Sequence, residues 1–266
     1  MGRSGTSLTT RILNLLGVDL GPPDDFIPAR DLNPTGFWER RRFDDLNRRL
    51  LHSQHGGVSN PPRFDRDWTP PADLATEARA LVGDVFSDSA LWGWKDPKNC
   101  LTLPFWQAVL PPMRYVICIR DPGDFAASVQ SRSTPHGATA LDIWLACMSR
   151  ALTYTAGEPR IVVSFESYFE DPAKPAAALA RFIGRRPAAP EVDREIHELV
   201  DRSLWRSRTA GATAAADDGT AEEVSRLYAL LRAVCDEEAI SDGSPAATEL
   251  HAAADRYAQR LIEAGR

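Results

Sequence analysis

Cysteine is scarce. Four residues, at positions 100, 118, 147 and 235 of a 266-residue chain, form no CxxC pair. That spacing argues against a disulfide framework and a zinc cluster, and no His/Cys/Asp group has metal-ligand spacing, so no metal is expected. Cys118 lies in an apolar run and Cys147 in a helical pattern, so both read as buried thiols in a reducing, cytoplasmic setting. Long hydrophobic runs are also lacking. The stretch from Leu8 to Leu20 is broken by Thr9, Thr10, Arg11 and Asn14, which leaves neither a secretory signal nor a stable membrane insertion to expect. An excess of positive charge is missing too. With 31 basic and 37 acidic residues the net charge is −6, which disfavours a nucleic-acid-coating protein.

What is present is enough apolar material, 43% of residues, to build a core without staples. The length suits one large domain, or one domain with an appendage. Leu8, Ile12, Leu15 and Leu16 share a helical face behind a glycine-containing loop. Gly21 to Gly36 reads as loop. Phe43, Leu46 and Leu50 mark a helix over 39–51, and Asp73 can cap another running to about Val85. Leu91 to Trp94 reads as a short strand. A helix is expected around 103–110, a strand over Tyr115–Ile119, a helix from about Gly123 and a long one over 139–154. Arg160 to Phe165 is the last clear strand. Asp171-Pro172 opens a helix to Ile183. Helical patterns follow at 191–204, 220–238 and 246–263, and the stretch from Thr209 to Gly219 between them reads as mobile. Strands separated by helices predict an α/β fold of three layers with a parallel sheet. The division expected is an α/β domain over 1–208 and a helical C-terminal extension over 209–266 that adds no strand.

Three segments carry chemistry. Gly2-Arg3-Ser4-Gly5-Thr6-Ser7 opens the first helix. Its backbone N–H groups, its hydroxyls and the Arg3 guanidinium suit an anion. A nucleotide P-loop would read GxxxxGK[ST]. This loop is shorter and lacks that lysine, which argues against an ordinary ATPase or GTPase; the plainer reading is a turn that caps the helix. Arg120-Asp121-Pro122-Gly123-Asp124 follows a strand, at the strand end where open α/β sheets bind ligands. Ser128 can face the same crevice. The alternative is a strand-end ion pair of Arg120 with Asp121 or Asp124. Lys95, in Trp94-Lys95-Asp96-Pro97, sits at another strand end, where a solvated lysine is the commoner finding.

Together these segments resemble the sulfotransferase family. Arg3 to Ser7 is similar to its 5'-phosphosulfate loop, in the Arg-Ser-Gly-Thr form also seen in tyrosylprotein sulfotransferases. Arg120 and Ser128 match its 3'-phosphate motif in type and separation. Lys95-Asp96-Pro97 is similar to a family segment between the two. Asn33-Pro34 to Trp38-Glu39, and Ser164-Phe165-Glu166 with Asp171-Pro172, resemble bacterial members. The resemblance spans about residues 2–183.

It implies a P-loop-like parallel sheet and a sulfotransferase that uses 3'-phosphoadenosine 5'-phosphosulfate (PAPS) to modify a hydroxyl of a small-molecule, sugar or lipid acceptor, with neither nucleic acid nor metal involved. A homodimer is compatible with it. Arg3, Ser4, Gly5, Thr6 and Ser7 would hold the phosphosulfate, Arg120 and Ser128 the 3'-phosphate, and Arg206, with Arg208, would close over the nucleotide; a basic surface turn is the alternative for that pair. Lys95 would stabilise the bridging oxygen and Glu39 would act as general base. Asp96 and His55 are the other candidate bases, Asp96 better suited to orienting Lys95, while His136 is a lone loop histidine. Trp38, Trp92, Trp94, Trp106 and Trp144 are either acceptor-pocket walls or core. In the family a first, central strand precedes the phosphosulfate loop. Here the loop follows Met1 directly, so that strand is expected upstream or lost. A small-molecule kinase and a non-catalytic nucleotide-binding relative are the competing readings.

Overall fold

The computed structural model describes residues 1–29, 36–58, 62, 68–130, 140–200, 205, 218–236 and 244–263. It is a helix-rich α/β structure around a small parallel sheet. Two strands, β1 (Tyr115–Ile119) and β2 (Arg160–Ser164), pair in parallel, with Tyr115 opposite Arg160 and Ile119 opposite Ser164. Every residue of β2 is buried, as expected of a parallel strand covered on both faces.

Side chains alternate between two cores, following the period of two in a strand. Ile161 and Val163 join Ile12 of α1 (Thr6–Leu15) and Leu16 just after it, together with α8 (Ala173–Phe182) and α9 (Pro190–Leu199). Ile117, Ile119 and Val162 face the other way. They pack with α4 (Asn99–Val109), α5 (Pro122–Gln130), α6 (Ala140–Tyr154), α10 (Asp218–Ala233) and α11 (Pro245–Glu263). A third cluster joins α2 (Arg41–Ser53), α3 (Ala72–Phe86) and α4 through Phe43, Leu46, Leu50, Ala78, Phe105 and Trp106. A short helix, α7 (Ser167–Glu170), follows β2. Just ahead of α8, whose N-cap is Pro172, Asp171 Oδ1 accepts the Ala173 N–H at 3.1 Å.

One segment departs from expectation. Leu91 to Trp94 makes a single parallel bridge, Trp92 to Asp19, and builds no ladder with β1. Instead, Ala90 to Lys95 and Tyr115 to Cys118 line one cavity of about 450 Å³. Among the described residues β1 pairs with β2 alone. The tail adds a backbone link beside its helices. Cys235 forms a parallel bridge with Val162, and the Asp236 N–H donates to the Val162 carbonyl at 3.0 Å. β2 still offered a row of backbone groups on that side, and the tail satisfies one. All four cysteines are buried and unbridged.

Candidate active site

The loop ahead of α1 is shaped by two left-handed residues, Arg3 (φ 68°) and Gly5 (φ 76°). Gly5 is demanded twice over. Its φ disfavours any side chain, and a Cβ there would lie 2.6 Å from Phe165 Cδ2. Gly5 is also the N-cap of α1 and supplies no side-chain cap; the first internal bond is Thr9 N–H to Gly5 carbonyl, 3.0 Å. The N–H groups of the first turn therefore have no partner within the helix and carry its positive end. Ser4 is buried, and its hydroxyl finds no hydrogen-bond partner.

The loop meets the segment after β1. Arg3 Nε donates to Ser128 Oγ at 2.9 Å, and an Arg120 nitrogen donates to the Arg3 carbonyl at 3.2 Å. Arg120 is buried, with its guanidinium 4.6 Å from the Phe165 ring centre. Burial lowers its pKa, opposed mainly by Asp124, whose carboxylate stands 3.9 Å away. Asp124 also accepts the Trp205 indole N–H at 2.8 Å, and Trp144 donates its own to the Arg120 carbonyl at 3.1 Å. Trp106 and Trp144 are core residues without exposure. Trp92 and Trp94 line the cavity, and Trp38 stacks edge-on to Phe26 under the Arg11 guanidinium.

On its other side the loop touches the segments bearing Lys95 and Glu39. A Cβ at Gly2 would sit 3.7 Å from Pro97. Ser7 Oγ donates to the Phe37 carbonyl at 3.0 Å. Lys95 Nζ and Glu39 Oε1 form an ion pair at 2.5 Å, their side chains 11% and 14% exposed. Burial lowers the Lys95 pKa, and Glu39 works against that shift.

Thus Arg3, Ser4, Gly5, Thr6, Ser7, Arg120 and Ser128 share one end of the sheet, and Lys95 and Glu39 meet beside them. Asp96 makes no hydrogen bond to Lys95. Its oxygens go to Asn47, at 2.8 Å, and to the N–H of Lys98, at 2.8 Å. His55 is exposed just beyond the C-terminal end of α2, remote from Glu39 at the other end. Arg206, Arg208 and His136 lie outside the described residues.

Two residues of this region were not marked as site candidates. Glu166 accepts from Ser164 Oγ at 2.5 Å and from the Asp121 N–H at 2.9 Å, which ties the Arg120 turn to the end of β2. Asn47 is fully buried. Its signal was available, because it falls between Phe43 and Leu50 on the apolar face of α2, where an amide must find partners.

A family model described as "Sulfotransferase family" matches residues 1–190. The chain belongs to the sulfotransferase family. Membership assigns it transfer of a sulfuryl group. Comparison with curated proteins and with solved structures finds no match. Among the described residues of this sulfotransferase, no group of three His, Cys, Asp or Glu could hold a metal ion. No described helix is long and apolar enough to cross a membrane.

Proposed function

We propose that the sulfotransferase moves the sulfuryl group of PAPS to a hydroxyl of a small-molecule, sugar or lipid acceptor. The observation that carries this reading is the contact between two distant anion-binding segments: Arg3 on Ser128, and Arg120 on the Arg3 carbonyl. A donor with a 5'-phosphosulfate and a 3'-phosphate needs two such sites at a fixed separation. The residues present suit it. The α1 N-terminus lacks a side-chain cap, the Ser4 hydroxyl is buried without a partner, and burial depresses the Arg120 pKa, a shift that an anion would counter. The loop N–H groups, Arg3, Ser4, Thr6 and Ser7 would hold the phosphosulfate. Arg120 and Ser128, with Arg206 from outside the described region, would hold the 3'-phosphate and nucleotide.

In this reading the acceptor oxygen attacks sulfur as the bond from sulfur to the bridging phosphate oxygen breaks. Glu39 takes the acceptor proton, and Lys95 stabilises the charge developing on the leaving oxygen. The products are the sulfate ester and 3',5'-adenosine bisphosphate. The fold is then a P-loop-like sheet in three layers: two helical layers flank β1 and β2, and the cavity between Trp92 and β1 has room to extend the sheet. Residues 1–208 carry the chemistry, residues 209–266 buttress it, and the enzyme acts in the cytoplasm.

Calorimetric titration with 3',5'-adenosine bisphosphate, with ATP as control, tests the donor. Binding of the bisphosphate that weakens by at least about 100-fold in Arg120→Ala is expected, the cost of removing one partner of a buried charge pair. Preference for ATP, or equal binding by the variant, would overturn the assignment.

A further inference from the structure

Three cross-links join α2 and Glu39, two residues ahead of it, to the segment 95–99. Glu39 binds Lys95 at 2.5 Å, Asp44 binds Lys98 at 2.5 Å, and Asn47 Nδ2 donates to Asp96 Oδ2 at 2.8 Å. Lys98 adds a contact to Asp96 at 2.9 Å. Only the first rung lies at the reacting centre. The other two stand behind it, in a region where Asp96 and Lys98 side chains are 1% and 13% exposed.

Asn47 is the most committed of these groups. Its two N–H bonds go to Asp96 Oδ2 and Asn99 Oδ1, at 2.8 and 2.9 Å. Its carbonyl accepts from Thr102 Oγ1 and Trp106 Nε1, also at 2.8 and 2.9 Å. Both donors and both acceptor sites of the amide are used, and all four partners belong to that segment or to α4. Phe43, Leu46 and Leu50 beside it on α2 are apolar and unexposed. A leucine at 47 would serve packing alone, whereas an amide bonded on every side fixes direction and register between two elements.

We propose that Asn47, supported by the Asp44–Lys98 pair, is a positioning residue that sets the separation of Glu39 and Lys95. This rests on the sulfotransfer roles given above to those two groups. The geometry accounts for the arrangement: Glu39 stands two residues ahead of α2 and is tied to it through Arg40, whose carbonyl accepts the Asp44 N–H at 2.9 Å, while Lys95 and Asp96 are consecutive, so locking the 47–96 rung leaves the 39–95 rung little freedom. A displacement of about 1 Å at a reacting group costs turnover on the order of 100-fold.

The test uses the full chain and three variants: Asn47→Leu, Asp44→Asn, and Asn47→Gln as the conservative change. Circular dichroism checks folding. Calorimetry with 3',5'-adenosine bisphosphate reads the nucleotide site, release of labelled sulfate from PAPS with water standing in as the acceptor reads turnover, and competitive acetylation read by mass spectrometry reports the reactivity of Lys95. In folded Asn47→Leu we expect nucleotide affinity within about twofold of the parent, kcat reduced on the order of 100-fold, and Lys95 acetylated several times faster. Asp44→Asn should show the same pattern in weaker form, and Asn47→Gln should restore part of it. Unchanged kcat and unchanged Lys95 acetylation in the folded variants would overturn the proposal. Should Asn47→Leu fail to fold, Asp44→Asn decides by the same criteria. Should the parent bind no bisphosphate, the donor assignment fails, and Lys95 acetylation alone decides the positioning role.

Discussion

Glu39→Gln isolates the charge of the Glu39–Lys95 pair, because the amide keeps the shape and an acceptor oxygen. The two side chains are 11% and 14% exposed and meet at 2.5 Å. Removing one charge from such a pair leaves the other buried and under-compensated. Complete loss of a buried partner costs about 3–5 kcal/mol, and with the acceptor retained a loss of about 2–3 kcal/mol is expected, the worth of a charge-assisted hydrogen bond. For a chain of this size that is a fall of about 4–12 °C in melting temperature at pH 7. The pH dependence gives a second readout. Burial already holds the Lys95 pKa below its ordinary value, and Glu39 opposes the shift, so the variant lowers it further. A lysine with a depressed folded pKa binds fewer protons folded than unfolded. Its penalty is full below the folded pKa and fades as pH rises towards the unfolded value of about 10.4. The gap in melting temperature between parent and variant should therefore narrow from pH 7 towards pH 10. Turnover should fall about 10²- to 10⁴-fold if Glu39 is the base, with bisphosphate affinity unchanged. A gap below about 2 °C that does not move with pH would refute the electrostatic account, and retained turnover would refute the catalytic one.

Two further outcomes follow from the loop and the sheet. Gly5→Ala should destabilise by at least about 1–3 kcal/mol, the cost of a left-handed non-glycine residue, with the 2.6 Å approach to Phe165 added; a melting temperature equal to the parent's would contradict it. A five-residue β-branched segment fused ahead of Met1 should raise the melting temperature. Met1 lines the same cavity as Tyr115 to Cys118, so the added strand can pair with β1 and fill apolar space; no change in melting temperature would sink that idea.

The periodic parts of the fold were legible. Phe43, Leu46 and Leu50 repeat at helical spacing and are all unexposed, and the apolar runs at 115–119 and 160–164 are the two strands. The same rule failed at Leu91 to Trp94, because strand character is completed by a neighbour and, among the described residues, the backbone of this segment bridges to Asp19 alone. The motif residues Arg3, Arg120 and Ser128 were legible as candidates, and the structure brings them together, since a strand end and a helix start are local features. The Glu39–Lys95 meeting, 56 positions apart, has no local signature. The hydrogen-bond partners of Asp96 were hidden for a related reason. Sequence adjacency suggested Lys95 as its partner, whereas its oxygens reach Asn47, 49 positions away, and Lys98.

The C-terminal helices bear on the site although they hold none of its candidate groups. Val224, Leu227, Leu231, Leu250 and Ala254 share one core with Ile117, Ile119 and Trp144. Burying the first four side chains contributes roughly 6–12 kcal/mol before entropy is counted, at about 1.5–3 kcal/mol each, which is comparable with the whole stability of a domain. The tail also reaches the end of β2. The Asp236 N–H bonds to the Val162 carbonyl, and Asp236 Oδ1 lies 3.4 Å from the Ser164 nitrogen. From Ser164 the path continues by hydrogen bonds through Glu166 to the Asp121 N–H, next to Arg120. Trp144, packed in the shared core, holds the Arg120 carbonyl from the other side. The turn that carries Arg120 is thus fixed at two points, and the tail supports both: it fastens the end of β2 and packs around Trp144.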